Sequence, residues 1–86
     1  MRVTIPSPLR SYTQGRAEVS ASGATFAKLL EVLDHAHPGI RFRMIDEQDR
    51  IRRHIRFFVN REQVVDLAQE LHPDDEVQIL CALSGG

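Results

Sequence analysis

Phe26, Leu29, Leu30 and Leu33 recur at the spacing i, i+3, i+4, i+7, the clearest periodic signal in this chain of 86 residues. They form one helical stripe, with Lys28, Glu31, Asp34 and His35 expected to face water. Thr25 is placed to cap the helix N-terminus, and Pro38-Gly39 stops it. A helix with one apolar stripe needs one apolar surface to cover. The flanking sequence supplies candidates for it in short runs of alternating polarity.

Val3 and Ile5 alternate with Arg2 and Thr4, the two-residue period of a half-buried strand, and Pro6 ends the run. Leu9 adds an anchor in a loop reaching Gly15. Ala17, Val19 and Ala21 then share one face of a second strand, giving an antiparallel hairpin with the first. After the helix, residues 41–49 read as a helical turn or extended connector followed by the polar loop Asp46-Glu47-Gln48-Asp49. Ile55, Phe57 and Val59 mark another strand, which turns at Asn60-Arg61. Val64, Val65 and Leu67 form a brief apolar stretch. Pro73-Asp74-Asp75-Glu76 is a turn signal, because proline presets the backbone angle. A last strand runs from Val77 to Leu83, with Val77, Ile79, Cys81 and Leu83 inward. The order of elements predicts an α+β layer pair: a mixed sheet of four to five strands, the first and a later one parallel, packed on one main helix.

A chain this short makes one domain and has little depth for an enclosed catalytic pocket. The expectation is a protein acted upon by others, or a binding module, with no catalytic residues of its own. Eleven basic residues stand against twelve acidic ones, for a net charge of −1. That balance lacks the positive excess of phosphate-binding domains, so no nucleic-acid partner is expected. The N-terminal run is too short and polar for a signal peptide or membrane span, and the single cysteine forbids an internal disulfide. These features predict a cytoplasmic protein without membrane contact.

The element order, the Val59-Asn60 step, Pro73-Asp74-Asp75-Glu76-Val77, and the ending Ala82-Leu83-Ser84-Gly85-Gly86 together resemble the ubiquitin-like β-grasp sulfur carriers, the MoaD/ThiS family. Val3-Thr4-Ile5-Pro6 through Leu9-Arg10, Val19-Ser20-Ala21-Ser22-Gly23 and Arg52-Arg53-His54 look most similar to the cysteine-biosynthesis carriers of the CysO type. The chain departs from the family in having Arg61 where a glycine commonly follows Val-Asn, and Asp74 where Gly-Asp-Glu is frequent. The resemblance implies a β-grasp domain over residues 1–83 and a flexible Ser-Gly-Gly tail over 84–86.

It also implies a chemistry. A free carboxylate repels nucleophiles; transfer of AMP from ATP makes it a mixed anhydride, and a sulfur nucleophile then leaves a thiocarboxylate. Gly86 would be the reacting residue, with Gly85 and Ser84 threading the tail through a narrow channel, since glycine has no Cβ to obstruct it. A Gly-Gly ending arises by chance in roughly 0.5% of chains, so its weight comes from following a β-grasp pattern directly. No cofactor is expected to be bound; ATP belongs to the activating enzyme. The implied partners are a ubiquitin-activating-like adenylating enzyme, a sulfur-accepting enzyme such as a PLP-dependent cysteine synthase, and a metallopeptidase that releases cysteine. Molybdopterin, thiamine or a sulfur-containing secondary metabolite are alternative outlets. A protein modifier joined through Gly86 and a plain interaction module are the competing readings.

Phe58, Leu80 and Ala82 are out of phase with the inward residues of their strands. With Arg56 they predict a partner interface on the sheet face away from the helix, unless residues 41–51 cover it. Cys81 is in phase and is expected in the core as an inert thiol. His35, His37, His54 and His72 lack metal-ligand spacing, so no metal is expected. The acidic groups at 46–49 and 74–76 read as solvated. Arg50, Arg52, Arg53 and Arg56 form a basic run that meets an acidic partner groove or simply faces solvent.

Overall fold

Residues 1–82 are described by a computed structural model. Among them, the alternating runs become five strands: β1 (Arg2–Thr4), β2 (Glu18–Ser20), β3 (Ile55–Val59), β4 (Glu62–Val64) and β5 (Glu76–Cys81). They form one sheet in the order β2-β1-β5-β3-β4. β5 lies at its centre, parallel to β1 and antiparallel to β3, while the two hairpins are antiparallel. This is the mixed β-grasp sheet that the sequence predicts.

Strand parity divides the sheet into two faces. Val3, Ile55, Phe57, Val64, Val77 and Ile79 are buried beneath helix α1 (Phe26–Ala36), whose stripe of Phe26, Leu29, Leu30 and Leu33 is at most 1% exposed. The Phe26 and Phe57 rings meet at 4.8 Å between centroids. Each of these side chains contributes about 2 kcal/mol by leaving water. The Thr25 hydroxyl accepts the Lys28 amide at 3.2 Å, the expected cap. Two further helix-start amides, Phe26 N–H and Ala27 N–H, donate to the carbonyls of Gln69 and Leu67. The polar stretch after β4 therefore completes the cap, a role the sequence did not disclose. Gly23 permits the close approach of this entry to α1: a Cβ there would lie 2.5 Å from the Leu29 nitrogen.

Several local expectations need correction. The loop around Leu9 is a 3-10 helix, Ser7–Thr13, with Thr13 buried and its hydroxyl donating to the Arg16 carbonyl at 2.8 Å. Ala17 is exposed because β2 begins only at Glu18. The connector after α1 forms helix α2 (Ile40–Met44), which packs on α1 and the 3-10 segment and buries Ile40, Met44 and Ile45. Asp34 does not simply face water. Its carboxylate accepts from the amides of Gly39 and Arg41, holding the turn into α2. Val65 is 78% exposed, since β4 ends at Val64. Cys81 is half-buried against the core, and that burial pushes its thiol pKa up.

The acidic groups read as solvated are partly structural. Asp46 is half-buried and accepts from the Gln48 and Arg50 amides. The bond from Arg50, then that from Gln48, holds its carboxyl below the ordinary value. Asp75 is buried, and its carboxylate accepts from the His72 amide and the Asn60 side-chain amide, both at 2.8 Å. Asn60 in turn accepts from the Glu76 amide at 3.0 Å. This network ties the β3–β4 turn to the start of β5 and fixes their register. The turn itself places Asn60 at φ +50° and Arg61 at φ +73°, the left-handed pair of a two-residue hairpin.

Two predictions follow from this corner. Arg61 occupies a conformation that costs a side-chain-bearing residue about 1 kcal/mol. Arg61→Gly should therefore raise stability, by about 0.5–1 kcal/mol, read as a higher denaturant midpoint at unchanged slope. Asp75 has its carboxyl held below 3.8, first by the His72 amide and then by Asn60. A depressed folded value contributes stability that is complete above the unfolded value of about 3.9. It is lost as pH falls through the lower folded value. Asp75→Asn should lower stability near neutral pH and flatten the decline in that acidic window, measured by urea unfolding from pH 2 to 7.

Candidate functional site

β5 runs up the middle of the sheet: β1 pairs with its first half, Glu76 to Gln78, and β3 pairs with it from Val77 to Cys81, so its C-terminal end is held by pairing with β3. Its last described neighbour, Ala82, donates its amide to the His54 carbonyl at 2.7 Å. This extends the β3–β5 pairing one step beyond the Ile55–Cys81 pair. Ser84, Gly85 and Gly86, the residues that the sequence assigns to tail chemistry, lie outside the described residues, as does Leu83. What the structure supplies is the platform from which they depart.

The sheet face opposite α1 is open. Residues 40–51 do not cover it, because α2 sits against α1 and the 3-10 segment. Arg56 and Leu80 are directly paired across β3 and β5, and Phe58 is paired with Gln78. Leu80 is 45% exposed, Phe58 is half-buried, and Arg56 and Ala82 are exposed. The structure thus brings Arg56, Phe58, Leu80 and Ala82 onto one face at one end of two adjacent strands. Their arrangement is a checkerboard. Phe58 and Leu80 are diagonal neighbours, about 7–8 Å apart at the backbone, with Arg56 and Gln78 on the other diagonal rather than forming an outer rim. The Arg2 guanidinium, farther across the same face, reaches Glu18 at 3.8 Å and Glu76 at 3.9 Å.

The basic run splits in three dimensions. Arg50 faces a wide cleft of about 590 Å³ together with Arg41, Asp49 and Asp66. Arg52, Arg53 and Arg56 instead line a cleft beside β4 with Gln63 and Val65, and Arg52 also meets Arg43 of α2 and His54, whose carbonyl accepts the Ala82 amide at the end of β5. The Arg52 Nε–H donates to the Phe42 carbonyl at 2.7 Å, and its guanidinium carbon lies 4.6 Å from the centre of the Phe42 ring. Phe42 and Arg43 were missed in the sequence because only the path of α2 brings them here. Among the described residues, no three His, Cys, Asp or Glu side chains are grouped to hold a metal ion. No helix among them is long and apolar enough to cross a membrane.

The ThiS family model matches residues 3–86, a span that includes the diglycine end. The sulfur carrier protein CysO of Mycobacterium tuberculosis is 36% identical over 89 aligned residues, covering 98% of this chain and 96% of the relative. The structure of the Amycolatopsis orientalis BexX/CysO complex superimposes with a TM-score of 0.91 at 35% identity, covering 99% of this chain and 98% of the other. SAMP1 from Haloferax volcanii superimposes with a TM-score of 0.79 at 26% identity, covering 100% and 98%. A family match over nearly every residue, on a ubiquitin-like β-grasp fold, leads to one conclusion: this chain belongs to the ThiS family.

Proposed function

We propose that this chain is a sulfur carrier whose Gly86 carboxylate is activated as an acyl adenylate and converted to a thiocarboxylate. The supporting observation is that the family match runs through Gly86, directly after a strand anchored at the centre of the sheet. In the first step a Gly86 carboxylate oxygen attacks the α-phosphorus of ATP, and pyrophosphate leaves. In the second, the sulfur of sulfide attacks the carbonyl carbon and AMP leaves, so oxygen is replaced by sulfur with no change in oxidation state. ATP is a substrate held by the activating enzyme. Gly85 and Ser84 provide slim passage into that enzyme, because in-line attack requires close placement of the reacting atoms.

The similarity to CysO favours cysteine formation as the outlet, with a PLP-dependent synthase taking the sulfur and a metallopeptidase trimming the product. The partner enzymes grip the open face through Phe58, Leu80, Ala82 and Arg56. An anchor at the centre of such a patch carries much of the binding energy. The likeness to SAMP1, a small archaeal modifier protein, keeps a second reading in view, in which a target lysine amine takes the acyl group.

Intact-mass analysis distinguishes these readings. The chain is incubated with its host's adenylating enzyme, MgATP and sulfide. The expected result is replacement of one oxygen by one sulfur at Gly86. Adducts to proteins would favour the modifier, and an unchanged mass would reject both. Deletion of Gly86 should leave the unfolding midpoint where it was and abolish the mass shift. Leu80→Asp should preserve the fold and lower the specificity constant for thiocarboxylate formation by about tenfold, the cost of losing roughly 1.4 kcal/mol of binding.

A further inference from the structure

The charges of this chain are unevenly arranged along β5. At the strand's start stand Asp74, the buried Asp75 and Glu76, with Glu62 one strand-pair away through Val59; Arg2 and Arg61 offset this acidic group only in part. At its end, around Ala82, stand Arg43, Arg52, Arg53, His54 and Arg56. The ion pairs among the described residues join Arg2 to Glu18 and Glu76, Lys28 to Glu31, and Arg41 to Asp49. None of the four arginines near Ala82 takes part in one. A chain whose total charge is −1 therefore presents its positive pole where the strand leaves the folded body.

Two of these cations, Arg52 and Arg56, are pre-positioned by hydrogen bonds, while Arg43 and Arg53 are exposed. Arg52 is held by the Phe42 carbonyl and ring, as described above. The Arg56 guanidinium folds back along its own strand to donate to the carbonyls of Arg53 at 2.6 Å and Ile55 at 3.0 Å. Phe42, Arg43, Arg52 and His54 line a notch of about 280 Å³. The Arg52 charge also acts on the Asp46 carboxylate, while among the described residues Arg43, Arg53 and Arg56 make no ion pair and present their charge to a partner.

We infer that this cluster of arginines at the end of β5 is a docking collar for an acidic protein surface surrounding the channel that the adenylating enzyme opens to the tail. The inference rests on the carrier reading above. The occupant follows from charge complementarity: an acidic rim attracts the positive pole and repels the acidic start of β5. The chain therefore approaches with the tail end foremost. Such complementarity acts on the rate and orientation of encounter more than on the chemical step, and salt screens it.

The test uses the full chain carrying Arg43→Glu and Arg53→Glu together, both at exposed positions whose side chains make no ion pair among the described residues. Pyrophosphate release is measured with the adenylating enzyme at limiting carrier, from low to high salt. The specificity constant for the carrier should fall about tenfold at low ionic strength. The turnover number at saturating carrier should be unchanged, and the gap should close in high salt. Arg43→Lys with Arg53→Lys should behave as the parent, and the unfolding midpoint reports that each variant is folded. A wild-type chain that gains no sulfur refutes the carrier reading itself. A wild-type chain that does gain it, beside a reversed variant equally fast at every salt concentration, overturns the collar alone. A raised KM for ATP would assign the charges to the nucleotide and overturn it as well.

Discussion

One helical stripe can cover only one face of a sheet, and the rest of this molecule is arranged around that limit. The contact of Phe26 with Phe57, and of Leu29, Leu30 and Leu33 with the neighbouring inward residues, buries one side of every strand. The other side stays open. Because side chains alternate along a strand, the register that fixes the core also fixes what the open face displays. A slip of one residue in β3 would bring Phe58 inward and Phe57 out. The Asn60–Asp75 network, which locks the β3–β4 turn to the start of β5, thus guards core and open face together.

This architecture suits a protein that is handled by enzymes. Its reactive group, on the proposed function, is at the chain end, and the folded body contributes a firm base, a recognisable face and a charge pattern. β5 provides the base because β1 holds its start and β3 pairs with it as far as Cys81, so the strand is fixed along its length in the middle of the sheet. The open face offers apolar and cationic groups in alternation. Such a checkerboard contributes contact area and orientation without the large continuous apolar patch that promotes self-association.

Much of this was legible in the residues. The helix, its Thr25 cap, the turn at Asn60-Arg61 and the turn before β5 follow from periodicity and local chemistry. So does the outward placement of Arg56, Phe58, Leu80 and Ala82, since parity needs no knowledge of partners. Less legible were features made by residues distant in sequence. Asp75 resembles any turn carboxylate until Asn60 arrives from the β3–β4 turn, and Leu67 reads only as part of a brief apolar stretch until its carbonyl and that of Gln69 meet the first amides of α1. Asp34 seems a solvated helix residue until the chain turns back over it at Gly39.

The sequence by itself determined the layer pair, the face each strand residue takes, and the family, because these depend on local periodicity and on motifs contiguous in the chain. Only the tertiary structure decided that residues 40–51 pack beside α1 instead of across the open face. It alone divided the arginine run, sending Arg50 to one cleft and Arg52, Arg53 and Arg56 to another beside β4, with Arg43 meeting Arg52 near the end of β5. The physical reason is that charge clusters and buried hydrogen bonds are set by distance in space, which a linear pattern does not encode until the core has fixed where each strand lies.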